Sequence, residues 1–134
     1  MQYVNMQSTI FMLGRRLIVK HLFHPEQAEI QLSSVLYALS DPIRLYLVAE
    51  IHKAGERTCG DLEVPIVKST LSHHARTLRE AGIVRTRVQG TQRFLSIRTA
   101  DLEARFPGLL ASILQAYEAS ADTVLTGWKQ SLDS

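Results

Sequence analysis

A single cysteine, Cys59, stands in the 134 residues of this chain. One thiol excludes an intrachain disulfide and points to a reducing compartment. It also falls short of the two or three thiolates, each at about 2.3 Å, that a soft-metal centre requires. No run of about 18 uncharged apolar residues occurs, so no membrane-spanning helix is expected. The opening residues, MQYVNMQSTIFMLG, lack the positive n-region of a signal peptide; Arg15, Arg16 and Lys20 follow the apolar run instead of preceding it. The expected location is therefore cytoplasmic, with no membrane partner. Prolines are few, and Pro25, Pro42, Pro65 and Pro107 all read as boundaries. The chain also lacks an acid/base pair, a Gly-rich phosphate loop and a nucleophile–base constellation, so no enzyme is expected and no cofactor is implied.

Acidic residues are nearly absent from residues 68–98. Lys68, Arg76, Arg79, Arg85, Arg87, Arg93 and Arg98 face only Glu80, a net of +6. The rest of the chain holds eight basic and twelve acidic residues, a net of −4. The near-neutral total hides a basic surface on an acidic body. Two elements are legible in the basic stretch. Leu71, Ala75 and Leu78 recur at i, i+4 and i+7, which predicts a helix over residues 68–81, and Gly82 follows where a left-handed cap belongs. The opposite face carries Ser69, Ser72, His73, Arg76 and Glu80, with Thr77 beside it. Val84, Thr86 and Val88 then alternate with Arg85, Arg87 and Gln89, Gly90-Thr91 turns the chain, and Phe94, Leu95 and Ile97 return as a hairpin. A polar helix followed by a cationic hairpin suits duplex DNA: the helix fits the major groove and the arginines neutralise phosphates.

The elements before this stretch agree. Leu32, Val35, Leu36 and Leu39 form a helical stripe. In Ser40-Asp41-Pro42, Asp41 is an expected N-cap and Pro42 the first residue of the next helix, along which Ile43, Leu47 and Ile51 share a face. Thr58 and Asp61 resemble a capping box opening a short helix that Pro65 closes. Joined to the polar helix, it makes a helix-turn-helix. Residues 1–27 read as an N-terminal extension. Met12, Leu13, Leu17 and Leu22 fit one side of a helix, and a dimer-interface helix, a membrane-surface helix and a loosely ordered arm all remain open for it. His21 and His24 are spaced for a metal on a helix but lack a third ligand. His73 and His74 diverge by 100° on theirs; His73 is expected at DNA and His74 inside the domain. After the hairpin, Thr99 opens a helix that Pro107-Gly108 breaks. Leu109, Leu110, Ile113, Leu114, Tyr117, Ala121, Val124, Leu125 and Trp128 follow at helical spacing, a stripe longer than a small core needs.

ALSDPIRL at residues 38–45, TCGDL at 58–62, STLSHHARTLREAGIV at 69–84 and the basic hairpin after them resemble the ArsR family of small bacterial winged-helix repressors. The resemblance covers roughly residues 28–115. It implies a homodimer that reads an inverted-repeat operator and is released by an inducer, here unknown. Its metal chemistry does not carry over: thiolate sensors of the family resemble ELCVCDL where this chain has ERTCGDL, in which Cys59 is expected to match one cysteine and Arg57 to stand where the other would be. The other common type places Asp and His pairs on the C-terminal helix, and no His follows Leu109. No metal is therefore expected, and Cys59 is either a small half-buried residue or a redox group.

These readings converge on an α+β, mainly α, winged helix-turn-helix with a two-stranded wing and N- and C-terminal dimerisation helices. The domain is expected over residues 28–128, with a tail at 129–134. The expected function is sequence-specific repression of transcription on double-stranded DNA. The alternative is a winged-helix module that binds a protein partner, which an uncharged or acidic wing would favour. Groove and phosphate contacts are expected from Lys68, Ser69, Thr70, Ser72, His73, Arg76 and Thr77, and wing contacts from Arg85, Arg87, Thr91, Gln92 and Arg93. Leu17, Leu36, Leu110, Ile113, Leu114, Tyr117 and Ala121 are expected at the dimer interface.

Overall fold

The computed structural model describes the backbone of residues 10–13 and 16–20 and all atoms of residues 22–120. His21, Ala121, the last turns of the C-terminal stripe, the tail and the side chain of Leu17 lie outside the described residues.

The first elements depart from expectation. Ile10–Leu13 (β1) and Arg16–Lys20 (β2) pair antiparallel, with Leu13 opposite Arg16 and a bulge between Phe11 and Met12. The helix read from Met12, Leu13 and Leu17 is thus a strand pair. Ile10, Phe11, Ile18 and Val19 are β-branched or aromatic, and Gly14-Arg15 between the runs is a hairpin spacing. Helices Leu32–Leu39 (α1) and Pro42–Ala54 (α2) follow a single 3-10 turn at Gln27–Glu29. Asp41 caps α2 as expected: its Oδ1 accepts from the amides of Ile43 at 2.8 Å and Arg44 at 3.1 Å. Such a cap contributes about 1 kcal/mol.

The expected first helix of the helix-turn-helix is reduced to one 3-10 turn, Cys59–Asp61, whose amide at Asp61 donates to Thr58 Oγ1. The residues before it, Arg57–Thr58 (β3), are taken by the hairpin as an edge strand. Lys68–Glu80 (α3), Val84–Gln89 (β4) and Gln92–Ile97 (β5) follow, and the sheet is three-stranded, antiparallel, in the order β3-β5-β4. Gln89 pairs with Gln92 around Gly90-Thr91, and Gly90 takes the positive φ its turn needs. Thr99–Arg105 (α4) and Leu109–Ser120 (α5) complete the order.

Gly82 joins α3 to β4 and has φ +89°. The amide of Ile83 donates to Leu78 O and that of Gly82 to Arg79 O, the paired bonds of a Schellman cap. A Cβ at Gly82 would lie 2.6 Å from Ile30 Cγ1. Leu78 and Ile83, both fully buried, seal the cap from below. Leu47, Val48 and Ile51 of α2 form the centre of the core, with Leu71 and Leu78 of α3 and Leu95 of β5 packed on it. Helix α2 is covered nearly all round, and α3 by one stripe only.

Residues 22–30 are tied across the sheet edge by main-chain contacts. Arg79 Nε donates to Phe23 O at 3.0 Å, Arg98 Nη1 to Pro25 O at 2.7 Å, and Arg105 Nε to Ile30 O at 3.1 Å. His24 Nε2 accepts from the Thr86 amide at 3.0 Å while its Nδ1 lies 3.0 Å from Leu22 O. The ring is therefore neutral, with the proton on Nδ1. Its pKa is lowered, first by burial.

Candidate nucleic-acid interface

Helix α3 turns Leu71, His74, Ala75, Leu78 and Arg79 inward. That leaves Lys68, Ser69, Thr70, Ser72, His73 and Arg76 exposed and Thr77 half-buried. These are the seven residues expected to meet DNA, brought together on one face. Thr77 Oγ1 donates back to His73 O at 3.1 Å, which leaves its hydroxyl oxygen outward as an acceptor. Lys68, Arg76 and Arg93 have no carboxylate partner among the described residues.

His74 is internal. Its Nδ1 accepts from Arg44 Nη1 at 3.1 Å, and Arg44 Nε donates to Ala38 O at 2.6 Å. Both side chains are buried. Burial lowers the His74 pKa, with the charges of Arg44 and His73 acting the same way against Asp41. Arg44 thus fixes α3 to α1 and α2 through a neutral imidazole. The sequence signal was present in DPIR, but its partner lies 30 residues away.

The wing is less open than its charge implied. Arg79 and Arg98 belong to the count of +6, yet both point inward to carbonyls of residues 22–30. Arg85 is 3.5 Å from Asp101, and Arg87 is 3.1 Å from Glu56. Arg87 also lies over the Phe94 ring at 4.3 Å and donates to Gln89 Oε1 at 2.6 Å. Both arginines remain about half exposed, and Thr91 and Gln92 are exposed at the hairpin tip. Sequence reasoning missed Glu56 and Phe94 because the one falls in the link between α2 and Thr58 and the other reads as core.

Between α3 and the sheet lies a cleft of about 560 Å³. Ser69, Ser72, Arg76 and Arg79 form one wall, at i, i+3, i+7 and i+10 of the helix. Thr86, Arg93 and Leu95 form the other, and Cys59 and Leu22 also line it. The register puts Thr86 opposite Leu95 and Arg93 opposite Val88, so all three lining residues share a sheet face. Cys59 is half-buried; burial raises its thiol pKa, and Arg93 acts against that rise. The expected match of Cys59 and Arg57 to the thiolate-sensor cysteines is out of step: residue on residue, Thr58 and Gly60 occupy the two cysteine positions and Cys59 the one between them. Among the described residues no three of His, Cys, Asp and Glu converge as a metal site. Both nitrogens of His24 are already engaged, and His21 lies outside the described residues.

Of the residues expected at a dimer interface, Leu36 is 47% exposed, beside Leu32 at 45% and Tyr37 at 68%. Ile113, Leu114 and Tyr117 are half-buried on α5. Leu110 is instead buried in the chain's own core, because the turn at Pro107-Gly108 sets the first residues of α5 against α4. No helix among the described residues is long and apolar enough to cross a membrane.

No family model matches the chain. An uncharacterized HTH-type transcriptional regulator of Bacillus subtilis, YceK, is 34% identical over 92 residues, 66% of this chain and 92% of that protein. The biofilm growth-associated repressor of Xylella fastidiosa is 37% identical over 93 residues, 68% of this chain and 80% of its own. Among solved structures, a crystal structure of an ArsR family transcriptional regulator superposes with a TM-score of 0.52 at 25% identity, covering 69% of this chain and 98% of that one.

Proposed function

The chain belongs to the ArsR family of winged helix-turn-helix, DNA-binding transcriptional regulators, and from that premise we propose that it is a cytoplasmic repressor acting as a homodimer on an inverted-repeat operator. The observation that carries the proposal is the outer face of α3. Six exposed polar or cationic side chains stand there with no acid until Glu80 at the far end. In this reading α3 enters the major groove, where Arg76 pairs with a base edge and Ser69, Ser72 and His73 contact bases or phosphates. Lys68, Thr70 and Thr77 hold flanking phosphates. Arg85, Arg87, Thr91, Gln92 and Arg93 bring the wing against the neighbouring backbone. The chain is then a binding protein with no catalytic step and no cofactor.

One α3 with one wing reads only a few base pairs. Specific affinity at physiological salt needs two half-sites about 34–36 Å apart. In this reading the partly exposed apolar side chains of α1 and α5, Leu36 with Ile113, Leu114 and Tyr117, take part in that pairing.

Selecting bound duplexes from a random DNA pool tests the proposal. The expected product is an inverted repeat with half-site centres one helical turn apart. Arg76→Ala is expected to cost about 1–3 kcal/mol at its cognate base pair and to relax preference there. Recovery of no enriched motif, or equal affinity of the parent and Arg76→Ala for every duplex, overturns it.

A further inference from the structure

This inference rests on the DNA-binding reading of α3 and concerns the cleft beside it. At about 560 Å³ the cleft falls in the size range of small-molecule sites. Arg76, Arg79 and Arg93 line it, and no carboxylate does among the described residues. Thr86 lines the cleft while its Oγ1 is fully buried with no hydrogen-bond partner, so the hydroxyl reaches a ligand there only by rotation about χ1, a rotation that breaks no hydrogen bond. A buried hydroxyl left without a partner is costly and rare, and a missing external partner is one of its physical explanations.

The chemistry of that partner follows from the groups around it. Arg93 makes no ion pair among the described residues. Arg79 spends its Nε on Phe23 O, which leaves the Nη groups, with Nη2 4.0 Å from the exposed Glu80. Guanidinium groups only donate, and the Thr86 hydroxyl has a proton to give. A fitting ligand therefore accepts hydrogen bonds and carries negative charge. Leu22, Ala75 and Leu95 add an apolar stretch to the same walls.

We propose that this cleft binds a small organic oxyanion, a carboxylate or phosphate monoester with a short apolar body, held by Thr86, Arg79 and Arg93, and that its occupancy excludes DNA from α3. Exclusion follows from shared residues. Ser69, Ser72, His73 and Arg76 line the cleft and are also the groove-facing residues of α3. A bound anion also neutralises cations that would otherwise meet phosphates. The ligand is then the inducer.

Titration of ¹⁵N-labelled protein with benzoate and, separately, with phenyl phosphate tests the site. Saturable movement of the Thr86 amide and the Arg79 and Arg93 Nε–H resonances is expected, and the tighter probe identifies the headgroup. Thr86→Val keeps the shape and removes the hydroxyl; Arg93→Met removes a charge. Each is expected to weaken binding roughly tenfold. Thr86→Val is expected to fold at least as stably as the parent. No saturable movement with either probe, or unchanged affinity in Thr86→Val, overturns the site. In a gel shift on the selected operator, the better probe is expected to release the parent at concentrations that leave Thr86→Val bound. Retention of operator by ligand-saturated parent overturns the exclusion. A parent that binds the probe but no duplex would remove the DNA reading and leave the site standing.

Discussion

Replacing Glu56 by glutamine should strengthen DNA binding by the wing and make it more sensitive to salt. Glu56 Oε1 lies 3.1 Å from Arg87 Nη2, and the guanidinium is stacked over Phe94. The two side chains are 42% and 49% exposed, so the pair itself contributes little to stability, about 0–1 kcal/mol. A carboxamide still accepts from Arg87, so the wing geometry should persist. On DNA the change is larger. The carboxylate cancels most of the Arg87 charge and repels the phosphate that Arg87 would meet. Each neutralised phosphate steepens the dependence of log K on log salt by about 0.9. With two wings per dimer, the slopes of Glu56→Gln and Arg87→Ala should differ by up to about 1.8, the parent lying between them. Over a threefold change in salt, a slope difference of that size is about sevenfold in affinity. Fluorescence anisotropy titrations of labelled operator at several salt concentrations measure it directly. Parallel salt plots for the parent, Glu56→Gln and Arg87→Ala would show that Arg87 meets no phosphate, and the wing reading would fall.

Other perturbations test other parts of the argument. Gly82→Ala combines a positive φ with a Cβ 2.6 Å from Ile30 Cγ1, and should cost about 2–4 kcal/mol in urea unfolding; a loss below about 0.5 kcal/mol would mean that Ile30 yields freely. His24 and His74 both have folded pKa values below the ordinary 6.5, so the unfolded chain takes up protons first as pH falls. Their contribution to stability is complete above that value and should decline below it, down to the lowered folded values; a melting temperature that does not fall from pH 7 to pH 5.5 would contradict the neutral, hydrogen-bonded rings. Cys59 should react with iodoacetamide more slowly at pH 7 than a free thiol and accelerate above the usual thiol pKa; fast alkylation at neutral pH would restore the redox reading. Leu36→Asp places a charge on an already exposed position, so light scattering should report a folded monomer with only non-specific DNA affinity, and a dimer with full affinity would move the interface elsewhere.

Features set by local chemistry were readable in advance. Asp41-Pro42 and Gly90-Thr91 depend on neighbours within a few residues, and Gly82 announces its left-handed φ, though not its contact with Ile30. The exposed face of α3 followed from a clean i, i+4, i+7 stripe. What escaped depends on partners far along the chain. Arg57–Thr58 became a strand because β5 offered an edge, which no pattern in ERTCGDL records. Met12, Leu13 and Leu17 fit a helical side loosely, and the β-branched or aromatic residues flanking them, Ile10, Phe11, Ile18 and Val19, favour strands. Composition counted seven cations in residues 68–98 but not where they point. Arg79 and Arg98 are structural, Arg85 and Arg87 are half neutralised, and Lys68, Arg76 and Arg93 carry the open charge. Thr86 looked like any inward residue of an alternating strand; that its hydroxyl lacks a partner is a property of the packed cleft.

The ties on residues 22–30 have a further consequence for how such chains diverge. Arg79, Arg98 and Arg105 hold carbonyl oxygens, which every residue possesses, and not side chains. Phe23 and Pro25 can therefore drift in sequence while keeping their path, provided those three arginines persist, whereas His24 and Ile30 are also held by their side chains. Apart from those two, the specification of this segment is written elsewhere in the chain, in α3, just after β5 and in α4.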